Sequence, residues 1–165
     1  MQKWTLGLAL AVCTQVGAAG NALAEEEFLS SSSCRMIHGT FEVETYSGPD
    51  CQAPAGLCGA VTWRGDLSGT SAFVATSTIS TVDTPTTGVV MFTGDAMLTL
   101  GKGTIQTKDA VVFRTVEGGE FAEVDTIVGG TGAFANAKGA WRADGTFEGS
   151  HGSGRYDGRI CGARF

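Results

Sequence analysis

From Gly39 onward the chain repeats one device: a stretch of alternating apolar and polar residues, then a turn. "GTFEVETY" puts Phe41 and Val43 on one strand face and Glu42 and Glu44 on the other, because successive strand side chains point to opposite sides. "GAVTWRGDL" sets Val61 and Trp63 in phase, "TSAFVATSTIST" carries Phe73, and "VVMFTGDAMLTL" from Val89 is a long apolar run. "GTIQTKDAVVFRTV" from Gly103, "GEFAEVDTIV" from Gly119, "GAWRADGTFEG" from Gly139 and the closing "GSGRYDGRICG" complete the series. Turn formers punctuate it: "SGPD" at Ser47, "RGD" into "LSG" near Gly65, "DTPTTG" from Asp83, "LGKG" from Leu100, "EGG" from Glu117 and "HGSG" from His151. Helical periodicity is nearly absent. The pattern predicts an all-β fold of eight strands in an antiparallel sandwich or barrel. Short connections make neighbours in sequence neighbours in space. The steps Gly65-Asp66, Gly94-Asp95 and Asp144-Gly145 read as bends or bulges.

The N-terminus has another character. Lys3 precedes the apolar "WTLGLALAV", and Ala22-Leu23-Ala24 offers small residues where a signal peptidase reads. Residues 1–24 are therefore expected to be a secretory signal peptide, since the run is well short of the ~20 residues that span a bilayer. Residues 25–33, with three glutamates and four serines, read as a flexible lead, and residues 34–165 as a single barrel domain. The expected location is secreted or periplasmic, with no membrane span in the mature chain. Without Lys3, ten basic residues face seventeen acidic ones, a net charge of −7. Such a chain has no general attraction for phosphate backbones, so nucleic acid is not an expected partner.

Four cysteines remain beyond the signal segment, an even count that in an exported chain suggests two disulfides. Cys51 and Cys58 bracket the turn-rich "QAPAGL", which favours a local bridge and leaves Cys34 with Cys161. A bridge between the two ends of the domain brings first and last strands together, which favours a closed barrel over a sandwich. The cysteines lack CxxC-type spacing, and His38 and His151 lack ligand-like neighbours, so no metal and no cofactor is expected. Both histidines read as surface or edge residues.

"IVGGTGAFANA" fits G-x-G-x-x-A, the spacing of a dinucleotide-binding turn. Its context does not. Only "AFANAK" is helix-compatible after Gly132, about one and a half turns, and Gly139 ends it. The remainder is too short for a doubly wound sheet. The glycines are better read as structural. Gly129 and Gly130 would turn the chain through positive φ. Thr131 would cap one short helical turn after Gly132, Phe134 would plug a barrel end, and Gly139 would re-enter the sheet.

"VDTIVGGTGAFANAKGAW" resembles the strand–GGTG–F–x–x–A–x–G segment of the allene oxide cyclase-like barrel proteins, shared by plant dirigent proteins and by small exported bacterial proteins of unassigned function. The flanking "KDAVVFRTVEGGEFAEVDTIVGG" and "GTFEGSHGSGRYDGRICG" resemble the bacterial group, so the likeness runs from about Thr93 to Gly162. It implies an eight-stranded antiparallel barrel of calycin type, often a homo-oligomer in the plant members. Known members cyclise an allene oxide or steer the coupling of phenoxy radicals. The dirigent segment carries an acid five positions before its first glycine. Val124 stands there, with Glu123 and Asp125 on the opposite strand face, so no catalytic residue carries over.

Chemistry has few candidates. Glu123 and Asp125 share a strand face with Phe121 and Ile127. Asp109 shares one with Thr107, Val111 and Phe113, and a hairpin about "VEGGE" would bring it near them. In a lumen these acids could move protons, but alternating acids usually mark a wet outer face, and that is the first expectation. Trp63, Trp141 and Tyr156 either fill the barrel or line a ligand cavity, and filling is the commoner outcome. The functional expectation is a disulfide-bonded barrel binding a small apolar or aromatic molecule in its lumen. The alternatives are a cofactor-free cyclase or dirigent-like enzyme, and a structural envelope or surface protein.

Overall fold

A computed structural model describes residues 34–80, 88–115 and 119–165. The expected signal peptide and lead, residues 1–33, lie outside them. Eight antiparallel strands close into a barrel in simple up-and-down order. They are β1 (Cys34–Tyr46), β2 (Cys58–Gly65), β3 (Gly69–Ser80), β4 (Val89–Leu100), β5 (Gly103–Arg114), β6 (Glu120–Gly130), β7 (Lys138–Glu148) and β8 (His151–Cys161). The strand stretches anticipated from alternation all fold as strands. Among the described residues one turn is misplaced: His151–Gly154 begins β8, and the reversal occurs at Gly149–Ser150, where Gly149 takes φ +61°. The expected turns at "DTPTTG" and "EGG" fall largely outside the described residues.

Closure rests on β1 and β8, which pair from Cys34 opposite Cys161 to Glu44 opposite His151. The Cys34–Cys161 disulfide bridges the first pair of that ladder, and Cys51–Cys58 ties the β1–β2 loop at the opposite rim. Both pairings match the cysteine spacing. The inward face follows strand parity. Ile37, Phe41 and Val43 of β1, Trp63 of β2, Leu98 of β4, Ile105 and Val111 of β5, Phe121 of β6, Trp141 of β7 and Tyr156 and Ile160 of β8 form one buried cluster.

Glycines on the inward face make room for these rings. A Cβ on Gly94 would run into the Phe73 ring of the neighbouring strand, while one on Gly158 would run into the Ala140 carbonyl oxygen and the Trp141 Cα, so there glycine allows a close approach of backbone. The expected bulges at Gly94-Asp95 and Asp144-Gly145 do not occur. Register shifts fall instead between Ala75 and Ser77 of β3 and opposite Gln106/Thr107, where Val128 is the extra residue of β6. That second bulge reverses the parity of β6 beyond Ile127, so that Gly130 comes to lie opposite Ile105.

The GGTG segment closes one end of the barrel, though not by the means its sequence suggests. Gly129 and Gly130 both lack positive φ, which falls on Gly132 (φ +60°) and Gly139 (φ +135°). Gly130 is required by close approach: a Cβ there would stand 2.5 Å from the carbonyl oxygen of Phe134 and 2.8 Å from that of Thr104. The helical portion is a single 3-10 turn, Gly132–Phe134, with no side-chain cap. The Thr131 hydroxyl accepts the Thr104 N–H at 3.1 Å and pairs with the Thr104 hydroxyl at 2.8 Å. It thus binds the β4–β5 side of the barrel end rather than its own turn. Phe134 is buried as a plug, with its ring 6.0 Å from Phe165.

Two outcomes test this account. Replacing both Cys34 and Cys161 with alanine should lower stability by about 4–5 kcal/mol in the chain-entropy view, read from urea denaturation midpoints. Gly130→Val should cost about 2–3 kcal/mol by the same measurement, because two backbone carbonyls rather than yielding side chains oppose the added carbons.

Candidate functional site

The site is written into the parity of β5 and β6. Apolar anchors set which face goes inside: Ile105 and Val111 on β5, Phe121 and Ile127 on β6, all buried. Side chains alternate with period two, so Thr107, Asp109, Glu123 and Asp125 are carried inward with them. Asp109 pairs directly across from Asp125, and Glu123 across from Val111. The acids therefore do not lie on a wet outer face. Asp109 and Asp125 are each 3% exposed, and Glu123 is half-buried. The outward positions between them belong to Lys108, Ala110, Val124 and Thr126.

One carboxylate oxygen from each of the three acids lies within 4.8 Å of the others. No group among the described residues hydrogen-bonds either Asp109 oxygen, Asp125 Oδ2, Thr107 Oγ1 or Trp141 Nε1, and all five atoms are buried. Every described lysine and arginine is exposed. Several sit in cross-strand pairs on the outer wall, such as Lys108 with Asp95 and Arg142 with Asp157. Among the described residues, no lysine or arginine accompanies the three acids inside.

Their titration follows. Burial raises the Asp109 carboxyl, and the neighbouring Thr107 and Asp125 side chains, outside full hydrogen-bond geometry, offset this only in part. Burial pushes Glu123 up to about 8, with the charge of Asp109 as the second cause. Asp125 is held well above the usual carboxylate range, first by burial and then by the charges of Glu123 and Asp109.

A cavity of about 70 Å³ lies against the acids. Phe41, Trp63, Phe73, Phe92, Phe121 and Phe147 contribute to its wall, and it reaches Thr45 and Leu57 at the rim that carries the β1–β2 loop. Trp63 is thus both wall and core, its Nε1 donating to Ser71 Oγ at 2.9 Å. Trp141 and Tyr156 do not reach the cavity. They are packed against Trp63, with centroids 6.1 and 5.2 Å away. The Tyr156 hydroxyl accepts the Leu67 N–H at 2.8 Å and donates to the Arg64 carbonyl at 3.2 Å, and burial raises its pKa. His38 and His151 are surface residues, placed against Asp66 and Glu44.

The sequence reading passed over Ser71, Phe92 and Phe147 as site residues. Inward parity on their strands was the available signal. Among known proteins, the chain matches no family model, no curated protein and no solved structure.

The acids should leave a pH signature on stability. A carboxyl raised in the folded state stabilises the fold while it holds its proton, so that contribution is complete below its unfolded pKa and disappears as pH rises through the folded one. For Glu123 the window runs from its ordinary value of 4.5 to about 8, and Asp125 acts in the same direction. In chelator-treated buffer, the unfolding free energy should fall across that window. Glu123→Gln should flatten the slope, as measured by urea denaturation at a series of pH values.

Proposed function

We propose that this is an exported protein that binds a small, largely apolar or aromatic molecule in the open half of its barrel. The molecule's polar end would rest on Asp109, Glu123 and Asp125. The observation that carries the reading is a cavity with aromatic walls on which three carboxyls converge. Ligand sites have this composition: an apolar lining with a few placed polar groups. Size narrows the choice. A benzene-sized ligand needs a cavity of about 150 Å³, and about 70 Å³ is present. The lumen therefore takes the head of a ligand, with the remainder at the rim beside Thr45 and Leu57. The two disulfides support export, because they persist in oxidising compartments.

A second reading is a cofactor-free cyclase or isomerase working in the same cavity. Convergence of the acids favours it, since adjoining carboxyls in a dry wall can donate and accept protons on one substrate. The resemblance of the GGTG segment to the allene oxide cyclase-like barrels adds nothing to this reading, because no catalytic residue of that family has a counterpart here. A purely structural role fits the packed end of the barrel but leaves the acids without a task.

Hydrophobic fluorescent probes and small phenols, followed through tryptophan fluorescence, test both readings. Saturable binding is expected. Ala96→Phe, which places a ring in the cavity, should weaken it at least about tenfold, a loss of about 1.4 kcal/mol, with circular dichroism unchanged. Turnover that disappears in Glu123→Gln while binding persists would make the protein an enzyme. No saturable binding by any compound would overturn the lumen reading and leave the structural one.

A further inference from the structure

Counting histidines and cysteines gives no reason to expect a metal. The folded lumen supplies a different donor set. Asp109, Glu123 and Asp125 each offer a carboxylate oxygen, all within 4.8 Å of one another. Calcium takes six to eight oxygen ligands in a flexible geometry, whereas magnesium keeps several of its waters and is usually held by only one or two carboxylates. Three carboxylates converging on one point are a donor set of the calcium kind.

A second observation comes from a neutral side chain beside the acids. Thr107, 2% exposed, carries a buried hydroxyl that no described group hydrogen-bonds. It lies on the same inward face one pleat from Asp109, near enough to act on that carboxyl. An unpartnered buried hydroxyl is costly, and it is a normal ligand for a hard cation. Both oxygens of Asp109 and Oδ2 of Asp125 are in the same condition.

We propose that Asp109, Glu123, Asp125 and Thr107 form a binding site for a hard divalent cation, calcium before magnesium, at the floor of the lumen. The inference goes beyond the small-molecule reading and stands without it. An all-oxygen donor set selects calcium, magnesium or manganese over zinc and copper, which favour imidazole and thiolate. Three carboxylates supply three to six oxygens and the hydroxyl one more. The cavity of about 70 Å³ beside them has room for waters to complete the six to eight ligands that calcium takes. The cation also supplies the positive charge that no lysine or arginine brings inside. Where the lumen also takes an organic molecule, the cation is the group that its polar end meets.

The test uses purified protein stripped with chelator. Calcium chloride at about 1–10 mM, roughly ten times the Kd of about 0.1–1 mM of extracellular calcium sites, should raise the melting temperature by about 3 °C or more over sodium chloride of equal ionic strength. Magnesium should do less. Terbium should emit when tryptophan is excited, because Trp63 adjoins the acids, and calcium should displace it. Asp109→Asn and Asp125→Asn keep the side-chain shape, remove a charged ligand and should abolish both signals with near-UV circular dichroism retained. Should either variant fail to fold, Thr107→Val and Glu123→Gln provide the test, each weakening calcium binding by about tenfold. No melting shift with calcium, magnesium or manganese and no sensitised emission would overturn the proposal. So would signals unchanged by these substitutions, which would put the ion on the outer acids. Probe binding without a calcium response would sink this inference and leave the lumen reading, and a calcium response without probe binding would do the reverse.

Discussion

Everything inside this barrel depends on the seam between β1 and β8. Seven of the eight strand pairings join neighbours through short connections, but this one joins the two ends of the domain. Loop closure on that scale is entropically costly, and the disulfide at the first rung removes much of the cost from the unfolded side. A second tie acts from within. Tyr156 of β8 reaches over Gly39 of β1 to hold the Leu67 N–H and the Arg64 carbonyl at the β2–β3 turn. A Cβ at Gly39 would meet that phenol and the same carbonyl, so the seam closes only with glycine there. One hydroxyl thus ties β8 to β2 across β1 at the closing edge.

Closure creates a lumen with two unequal ends. Towards the disulfide seam and the GGTG plug, Ile37, Leu67, Leu98, Ile105, Phe134, Trp141 and Ile160 are buried and the barrel is filled. Towards the β1–β2 loop, the phenylalanines stand farther from solid packing and a cavity remains among them. The acids lie where the two regions meet. Trp63 spans the boundary, its indole nitrogen held by Ser71 and its ring against Phe41, Trp141 and Tyr156. Filling and lining are therefore not alternatives for this residue, because the same ring does both.

Much of this was legible from period-two alternation and from the cysteine count, because both report properties that folding must respect everywhere along the chain. The strands, their order, the closure and both disulfides follow from them. What the sequence concealed was local. Glycine at 129 and 130 suggests positive φ, but the need for glycine at 130 arises from backbone that only the folded barrel brings near it, and a spacing pattern carries no record of that. Thr131 suggests a cap, but a partner on another strand, Thr104, competes for its hydroxyl and wins. The acids turn inward for a related reason. A carboxylate by itself prefers water, whereas Phe121 and Ile127 on the same face prefer the core, and a strand cannot send alternate members of one face in different directions. The larger apolar total decides the face, and the acids follow.

That outcome has an energetic consequence. The outer wall sorts its charges into register, with Asp95 opposite Lys108, Arg142 opposite Asp157 and Asp144 opposite Arg155, where water and salt make each pair cheap and nearly neutral in stability. Among the described residues, the inner wall holds three acids and no lysine or arginine. Well-packed apolar residues commonly do as well as, or better than, buried charged groups of similar size. A barrel built only to stand would gain from valine or leucine at 109, 123 and 125. Departures from local consistency of this kind concentrate at functional sites, where stability is given up for chemistry. The three positions do not help to close the barrel, set its register or fill its packed end. Their placement beside the cavity is thus the feature that the fold leaves unexplained, and it is the feature that the proposed occupants, a cation or the polar end of a ligand, would account for.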